Sequence, residues 1–265
     1  MNEFGVTSKR KAFKFAQGRM TDIEDEVANE YALTISVQGE EFATLVCTPE
    51  RLDELVVGFL ASEGIVRRAE DIAELQLDAA GGFARVGLVR APGGDALTRH
   101  SKRWIGSCCG KSRQFYLQSD ARTAKTVMSR TTVKATQCIE AMRRLQEGSD
   151  AFRRTGGVHN AALCSPDALL VARTDIGRHN ALDKLFGYCL LHRVSVKGLM
   201  IAFSGRISSE VLLKAAKIGV GVVLSKSAPT GLALDLAHDL GITTVGFIRD
   251  GQCSVYTHPE RIVPE

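Results

Sequence analysis

A chain of 265 residues, 45% hydrophobic and 24% charged, is long enough to bury a substantial core, and its composition excludes disordered, collagenous and coiled-coil classes. Lys plus Arg number 34 against 30 Asp plus Glu, a net charge of +4 that is too small for bulk nucleic-acid binding but compatible with a local anion site. Seven cysteines in an odd, widely spaced set, and no run near the roughly 18 apolar residues of a membrane span, argue against a secreted disulfide framework or a spanning protein and for a reducing cytoplasm.

Residues 1–28 carry Lys9, Arg10, Lys11, Lys14 and Arg19 with no apolar run behind them, which speaks against a secretory signal and for a flexible, exposed basic arm. Leu33, Ile35 and Val37 then alternate with Thr34, Ser36 and Gln38, and Gly39-Glu40-Glu41 turns the chain into a second apolar run at 42–47, which together make a hairpin. Thr48-Pro49 reads as a hydroxyl N-cap followed by a first-turn proline, with Leu52, Leu55, Val56, Phe59 and Leu60 at helical spacing up to Gly64. Leu75 and Leu77, then Phe83, Val86 and Leu88, add two strands around Gly81-Gly82. Residues 29–115 therefore read as a small α+β subdomain ending in a cysteine-bearing loop.

A helix is expected over 121–146, with Val133, Cys138, Ile139, Met142 and Leu145 as its buried stripe. Strands at 168–172, 198–203, 220–224 and 243–248 then alternate with helices after Asp175, at 208–218 and at 229–240. Strands separated by helices of this length predict, over 116–265, an α/β domain with a mainly parallel sheet covered on both faces, and ligands beyond the carboxyl ends of its strands.

Within Trp104-Ile105-Gly106-Ser107-Cys108-Cys109-Gly110-Lys111-Ser112-Arg113, two thiols sit among small residues, flanked by Lys102, Arg103, Lys111 and Arg113. Nearby cations favour the thiolate, the form that attacks sulfur, and Gly110 leaves room for another protein's sulfur to approach. These are the needs of a persulfide carrier, whereas a small buried hydrophobe, the common state of a free cysteine, has no use for four basic neighbours. The run is not a P-loop, because three residues rather than four separate Gly106 from Gly110-Lys111-Ser112. Adjacent cysteines are not a CxxC redox pair, and with no HxE followed by PCxxC neither a zinc deaminase nor a catalytic metal is expected.

Two His-Asn pairs, His159-Asn160 after Gly156-Gly157 and His179-Asn180 after Gly177, place polar side chains at turns, where they either serve a site or bond within the turn, with Asp175 capping the next helix. Ser204-Gly205-Arg206 lies between a strand and a helix with Ser208 as its expected N-cap, which aims backbone N–H groups at an anion. Ser225-Lys226-Ser227 repeats that arrangement one unit later, and Phe247-Ile248-Arg249-Asp250-Gly251-Gln252 ends the last strand with another cation. Singly, Arg206, Lys226 and Arg249 are ordinary solvated charges. Their recurrence at one sheet edge points to a phosphate-bearing ligand; Arg249 and Asp250 could split the work there, one meeting phosphate and the other a guanine edge.

In order along the chain, LTISVQGEEFATLVCTPERLDELVVGFLASEG, SCCGKSR, TGGVHNAAL, DIGRHNALDKLFG, SGRISSEVLLKAAKIGV, SKSAPTGLALDLA and GFIRDGQ resemble the FdhD family, the sulfur-carrier accessory proteins of formate dehydrogenase. The resemblance runs from about Leu33 to the C-terminus and implies a cytidine-deaminase-like α/β domain without the deaminase zinc, beside the smaller N-terminal α+β subdomain. It implies a sulfurtransferase-type activity: a cysteine desulfurase loads sulfur onto a loop cysteine as a persulfide. The sulfur then passes to the molybdenum or tungsten of a bis-molybdopterin guanine dinucleotide cofactor bound for formate dehydrogenase. The guanine dinucleotide part is expected at Phe247 to Gln252, where GDP-like nucleotides would mimic it, with Ser204, Gly205, Arg206, Ser225, Lys226 and His179 completing the site. Some family members carry CxxC in the loop; here Ser112 stands at the second position, and aligning on the Cys-Gly step makes Cys109 the persulfide bearer and Cys108 its nearest rival. The reading from a different class is a non-catalytic chaperone that shields the cofactor and docks on the apoenzyme. A two-fold homodimer is the default assembly, and neither nucleic acid nor membrane is expected as a partner.

Overall fold

The computed structural model describes residues 5–90, 103–105, 124, 126–128 and 131–264. Strands β1 (Thr7–Ala16) and β2 (Arg19–Ala28) pair antiparallel around Gln17-Gly18, whose φ angles of 51° and 75° suit a two-residue type I′ turn. The expected flexible arm is thus a regular ribbon over residues 7–28. Its cations face carboxylates across the pair, Arg10 opposite Asp25 and Lys11 opposite Glu24, and Lys9 Nζ lies 2.9 Å from Glu24 Oε2. Hydrophobic periodicity does not reveal such a ribbon, because both faces are solvated and even Phe13, Phe15 and Met20 lie exposed near its tip.

Next come β3 (Tyr31–Val37), β4 (Glu40–Cys47), helix α1 (Leu52–Ser62), β5 (Ile72–Asp78), β6 (Phe83–Leu88) and β7 (Arg103–Ile105), whose strands form a sheet in the order β5-β6-β3-β4-β7. Leu33, Ile35 and Val37 alternate inward and are fully buried. Thr48 is not the cap of α1: the residue before the helix is Arg51, and the Thr48 hydroxyl turns into the interior.

The rest of the chain supplies β8 (Val133–Lys134), α2 (Ala135–Glu147), α3 (Asp150–Thr155), β9 (His159–Cys164), β10 (Leu169–Asp175), α4 (Arg178–Leu191), β11 (Met200–Phe203), α5 (Ser209–Ile218), β12 (Val222–Ser225), α6 (Gly231–Leu240), β13 (Thr243–Arg249), β14 (Gln252–Val255) and β15 (Ile262–Val263). Six strands form a second sheet in the order β10-β9-β11-β12-β13-β14. The α/β class holds, but the sheet is mixed. Only β11, β12 and β13 run parallel, while β9 is antiparallel to both its neighbours and β14 to β13. The links after β9 and β13 are short turns, and short turns join only antiparallel strands. Of the helix expected over 121–146, the described part begins at Ala135, because Val133 and Lys134 pair instead with Ile262 and Val263 near the other end of the chain, and residues 121–123, 125, 129 and 130 lie outside the described residues.

Ile201, Phe203 and Val223 face a core shared with α1, α4, α5, α6 and the buried side chains of β3, whereas Met200, Ala202, Val222 and Leu224 face α2 through Cys138, Met142 and Leu145. Burial on both faces follows from strands apolar on both sides. One cluster spans both sheets, with α1 and α4 filling the space between them. The junction expected near residue 115 lies outside the described residues.

Helices α1 and α4 approach so closely that glycine is needed on each. A Cβ on Gly58 would collide with the Asp183 carbonyl oxygen, and one on Gly187 with the carbonyl oxygen of Glu54. Arg173 then bridges the pair, its Nη2 2.7 Å from Glu54 Oε1 and its guanidinium 4.6 Å from the Tyr188 ring centre. Gly58→Ala or Gly187→Ala is expected to cost about 3 kcal/mol in urea unfolding, the upper end of overpacking costs, since the obstruction is backbone rather than a movable side chain. Gly231→Ala, with nothing within 4 Å, serves as the neutral control, and equal stabilities would contradict this packing.

Candidate functional site

The turn between β10 and α4 is shaped by a buried carboxylate. Asp175 Oδ2 accepts from the Thr48 backbone N–H and hydroxyl, both at 3.0 Å, and from Lys184 Nζ at 2.7 Å. Its Oδ1 accepts from the Gly177 N–H at 2.8 Å and from Asn180 Nδ2 at 3.0 Å, and Asn180 Nδ2 also donates to the Val46 carbonyl at 2.8 Å. Lys184 is equally satisfied, donating to the Thr48 hydroxyl at 2.7 Å and the Thr174 carbonyl at 3.1 Å. Asp175 therefore does more than cap a helix. It ties the start of α4 to the end of β4, the strand that pairs with β7 just before the cysteine segment. Lys184 and Thr48 have no place in the sequence-derived site; a lysine amid the apolar residues of 181–189 is the one signal that could have found them.

The carboxyl ends of β10, β11, β12 and β13 and the start of β9 lie along one edge, as the registers Asp175↔His159, Phe203↔Ala161, Phe203↔Ser225 and Leu224↔Val245 require. Their loops are cross-bonded. Ser204 Oγ accepts from the Asn160 N–H at 2.9 Å, Ser225 Oγ donates to the Gly205 carbonyl at 2.8 Å, and the Phe247 N–H donates to the Ser227 carbonyl at 3.2 Å. Gly205 has the shape this requires, since a Cβ there would sit 3.0 Å from the Phe203 ring and 3.5 Å from His159 Nδ1.

The expected ligand residues thus share an edge but not a role. Arg206, Phe247, Arg249, Asp250, Gly251 and Gln252 are exposed. The exposed Lys226 leans toward α2, with Nζ 3.3 Å from Gln146 Oε1. Ser225 and Ile248 are buried, so Ser225 shapes its loop and Ile248 belongs to the core facing α2. Asp250-Gly251, at φ 52° and 72°, forms the two-residue turn of the β13–β14 hairpin. His179 is turned toward α5, its Nε2 2.9 Å from Glu210 Oε2, and burial pulls it below the usual imidazole range despite that carboxylate. His159 is half-buried at the edge and is likewise lowered, first by burial and then by Arg178 and His179. Asn160 and Asn180 are buried and spend their side chains on the scaffold. A cavity of about 1040 Å3, lined in part by Arg67, Lys197, Lys217 and Gly219, opens near the opposite ends of β11 and β12 and was not anticipated from the sequence.

Cys108 and Cys109 lie outside the described residues. The other five cysteines are sequestered: Cys47, Cys138, Cys164 and Cys189 are buried and Cys253 half-buried. Burial raises every one of these thiols, Cys138 to about 12 and Cys164 and Cys189 to about 11. At neutral pH they are protonated and poor nucleophiles.

The description of the FdhD/NarQ family matches residues 28–263. A protein named sulfur carrier protein FdhD from Geobacillus kaustophilus is 59% identical over 260 residues, 98% of each chain. One of the same name from Bacillus subtilis is 54% identical over 257 residues, 97% of this chain and 98% of that one. The crystal structure of a Desulfotalea psychrophila protein assigned as a formate dehydrogenase accessory protein superimposes with a TM-score of 0.79 at 25% identity, covering 98% of this chain and 100% of that one.

The raised thiols set an alkaline limit on stability. Because Cys138, Cys164 and Cys189 ionise at higher pH in the fold than in the unfolded chain, their contribution is complete below about pH 8 and is lost as pH rises from about 9 toward 11, by about 1.4 kcal/mol per pH unit for each thiol. Urea unfolding is expected to show a steep fall between pH 8 and pH 10.5. The fall should be shallower when all three are replaced by alanine, and an identical fall in that variant would contradict the assignment.

Proposed function

Because the chain belongs to the FdhD/NarQ family, we propose that it is a cytoplasmic sulfur carrier of the sulfurtransferase type, acting in the maturation of formate dehydrogenase. The observation that carries this reading is the division among the seven cysteines. The five described ones are sequestered with their thiols held protonated, so the sulfur chemistry falls to Cys108 and Cys109. Those two sit in sequence among Lys102, Arg103, Lys111 and Arg113, cations that favour a thiolate.

In the proposed reaction, the Cys109 thiolate attacks the terminal sulfur of a persulfide on a cysteine desulfurase. A new S–S bond forms on Cys109, the donor S–S bond breaks, and the donor cysteine leaves as its thiolate. The S–S bond on Cys109 then breaks: its outer sulfur passes at the sulfide level to the client, a bis-molybdopterin guanine dinucleotide cofactor on its way to formate dehydrogenase, the two electrons for its reduction coming from the reduced metal of that client, and Cys109 leaves as its thiolate. The client's nucleotide part rests at the carboxyl edge of the six-stranded sheet, where Arg206 and Arg249 face phosphate and Asp250 accepts from the guanine edge. The chemistry of the edge suits such a ligand: the exposed Arg206 stands beside a strand-to-helix turn whose N–H groups favour anions, and the exposed Arg249 stands at the β13–β14 hairpin on the same edge. A two-fold homodimer would present two such edges and two copies of the Cys108-Cys109 pair. Among the described residues no helix is long and apolar enough to cross a membrane.

The competing reading is a chaperone that only shields the cofactor. After incubation with a desulfurase and cysteine, mass spectrometry should find one added sulfur atom on the peptide bearing Cys109 or Cys108, which a chaperone would not gain. Cys109→Ala is expected to keep its melting temperature and to lose activation of formate dehydrogenase. Normal activation by that variant would reject Cys109 as the carrier.

A further inference from the structure

Most polar side chains at the carboxyl edge of the six-stranded sheet are bonded to the scaffold. Asn160, Thr174, Asp175, Asn180, Ser204 and Ser225 all have partners within the fold, and His179 Nε2 lies 2.9 Å from Glu210 Oε2. His159 is the exception. It is the first residue of β9, opposite Asp175 on β10, and it is half-buried. Among the described residues its ring has no hydrogen-bond or ion-pair partner, and neither ring nitrogen is sealed from solvent. A half-buried polar group ordinarily finds a partner, so one left open at a strand end is available to a ligand.

The fold makes room for this ring. A Cβ on Gly205 would sit 3.5 Å from His159 Nδ1 and 3.0 Å from the Phe203 ring, so the loop after β11 passes the imidazole at backbone distance. That loop is braced against β9, because the Asn160 N–H donates to Ser204 Oγ at 2.9 Å and the Ser204 N–H to the Asn160 carbonyl at 3.0 Å. Arg178 and His179 at the start of α4 are near enough to act on the ring's charge. Together with burial they keep it neutral at pH 7, a donor at one nitrogen and an acceptor at the other.

We propose that His159 is a further catalytic residue of the sulfur hand-over, its imidazole N–H donating to the sulfur as it passes to the metal of the client. The inference rests on the sulfur-carrier reading above and deepens it. Along the edge the strands stand in the order β13-β12-β11-β9, and three spacings of about 4.8 Å put β9 about 14 Å from β13. With the guanine end of the client at β13 and Arg206 beyond β11, the pterin end comes to His159. In the transfer the S–S bond on Cys109 breaks, a metal–sulfur bond forms, and the reduced metal supplies the two electrons. Negative charge therefore gathers on the departing thiolate and on the new sulfide. A fixed N–H donor stabilises such charge where it develops, and the ring keeps its proton throughout.

The test is the rate at which labelled sulfur leaves the loaded full-length chain for formate dehydrogenase that carries an unsulfurated cofactor. His159→Leu keeps the bulk of the side chain and removes the donor. It should take up sulfur from a desulfurase and melt as the parent does, yet release the label about a hundred-fold more slowly. His159→Gln puts an N–H donor back and should recover much of the lost rate, so that release follows donation rather than shape. Release at the parent's rate from His159→Leu, or equal slowing in the leucine and glutamine variants, would overturn the role of His159 alone. A parent chain that takes up label and never passes it on would overturn the sulfur-carrier reading and this inference with it.

Discussion

The two sheets are fastened at Asp175. This carboxylate is fully buried and takes hydrogen bonds from Thr48 at the end of β4, from Gly177 and Asn180 at the start of α4, and from Lys184 one helical turn further on. An isolated buried charge is costly, and removing one partner from a buried pair typically costs about 3–5 kcal/mol because the other is left uncompensated. Every acceptor position here has a donor, so the charge is tolerable only while β4, β10 and α4 keep their relative places. The contact of α1 with α4 at Gly58 and Gly187 acts in the same direction, since it lets the helix layer between the sheets close to backbone distance. Nearby, Asp183 accepts from the Ser62 hydroxyl at 2.6 Å and from Lys214, which adds α5 to the same joint.

The consequence for function is a rigid edge. With β10 and α4 held, the carboxyl ends of four strands and the start of β9 lie along one edge, and their loops bond to one another rather than standing as separate flaps. Serine, asparagine and glycine at this edge are mostly consumed by that scaffold. The groups turned outward are Arg206, Phe247, Arg249 and Asp250, a set that combines positive charge, an aromatic face and one acceptor. Sites built on strand ends with cross-braced loops hold their geometry better than sites on free loops. The same pin reaches β7, the strand that precedes Cys108 and Cys109 in the chain, because Val46 and Thr48 follow directly on the part of β4 that pairs with β7.

Much of this was legible in the sequence where local pattern and final environment agree. Strands β3, β4, β5, β6, β11, β12 and β13 and helices α1, α4, α5 and α6 lie close to where periodicity places them, and the strand-end loops do meet at one edge. What local pattern misses depends on distant partners. Asp175 and Thr48 are 127 residues apart, so their hydrogen bond cannot be inferred from either neighbourhood, and Thr48 looks like a cap because its local sequence is one. Strand β8 exists because of β15, and β9 because β10 and β11 flank it, although its His-Asn start reads as a turn. The β1–β2 ribbon is held by cross-strand charge and turn geometry, neither of which leaves a hydrophobic signature. Within the site, residue type locates the edge, but only the backbone path shows that Ser225 and Ile248 face inward while Phe247 is forced out.

The proposed function requires sulfur to move through the thiol of Cys109 or Cys108 to a nucleotide-bearing pterin. Its most direct test is a single-turnover transfer: the chain is loaded with isotopically labelled sulfur, freed of desulfurase, and mixed with formate dehydrogenase that carries an unsulfurated cofactor. The account predicts that label leaves the protein and appears on the cofactor in step with the rise of enzyme activity. Activity that rises while the label stays on the protein would contradict it.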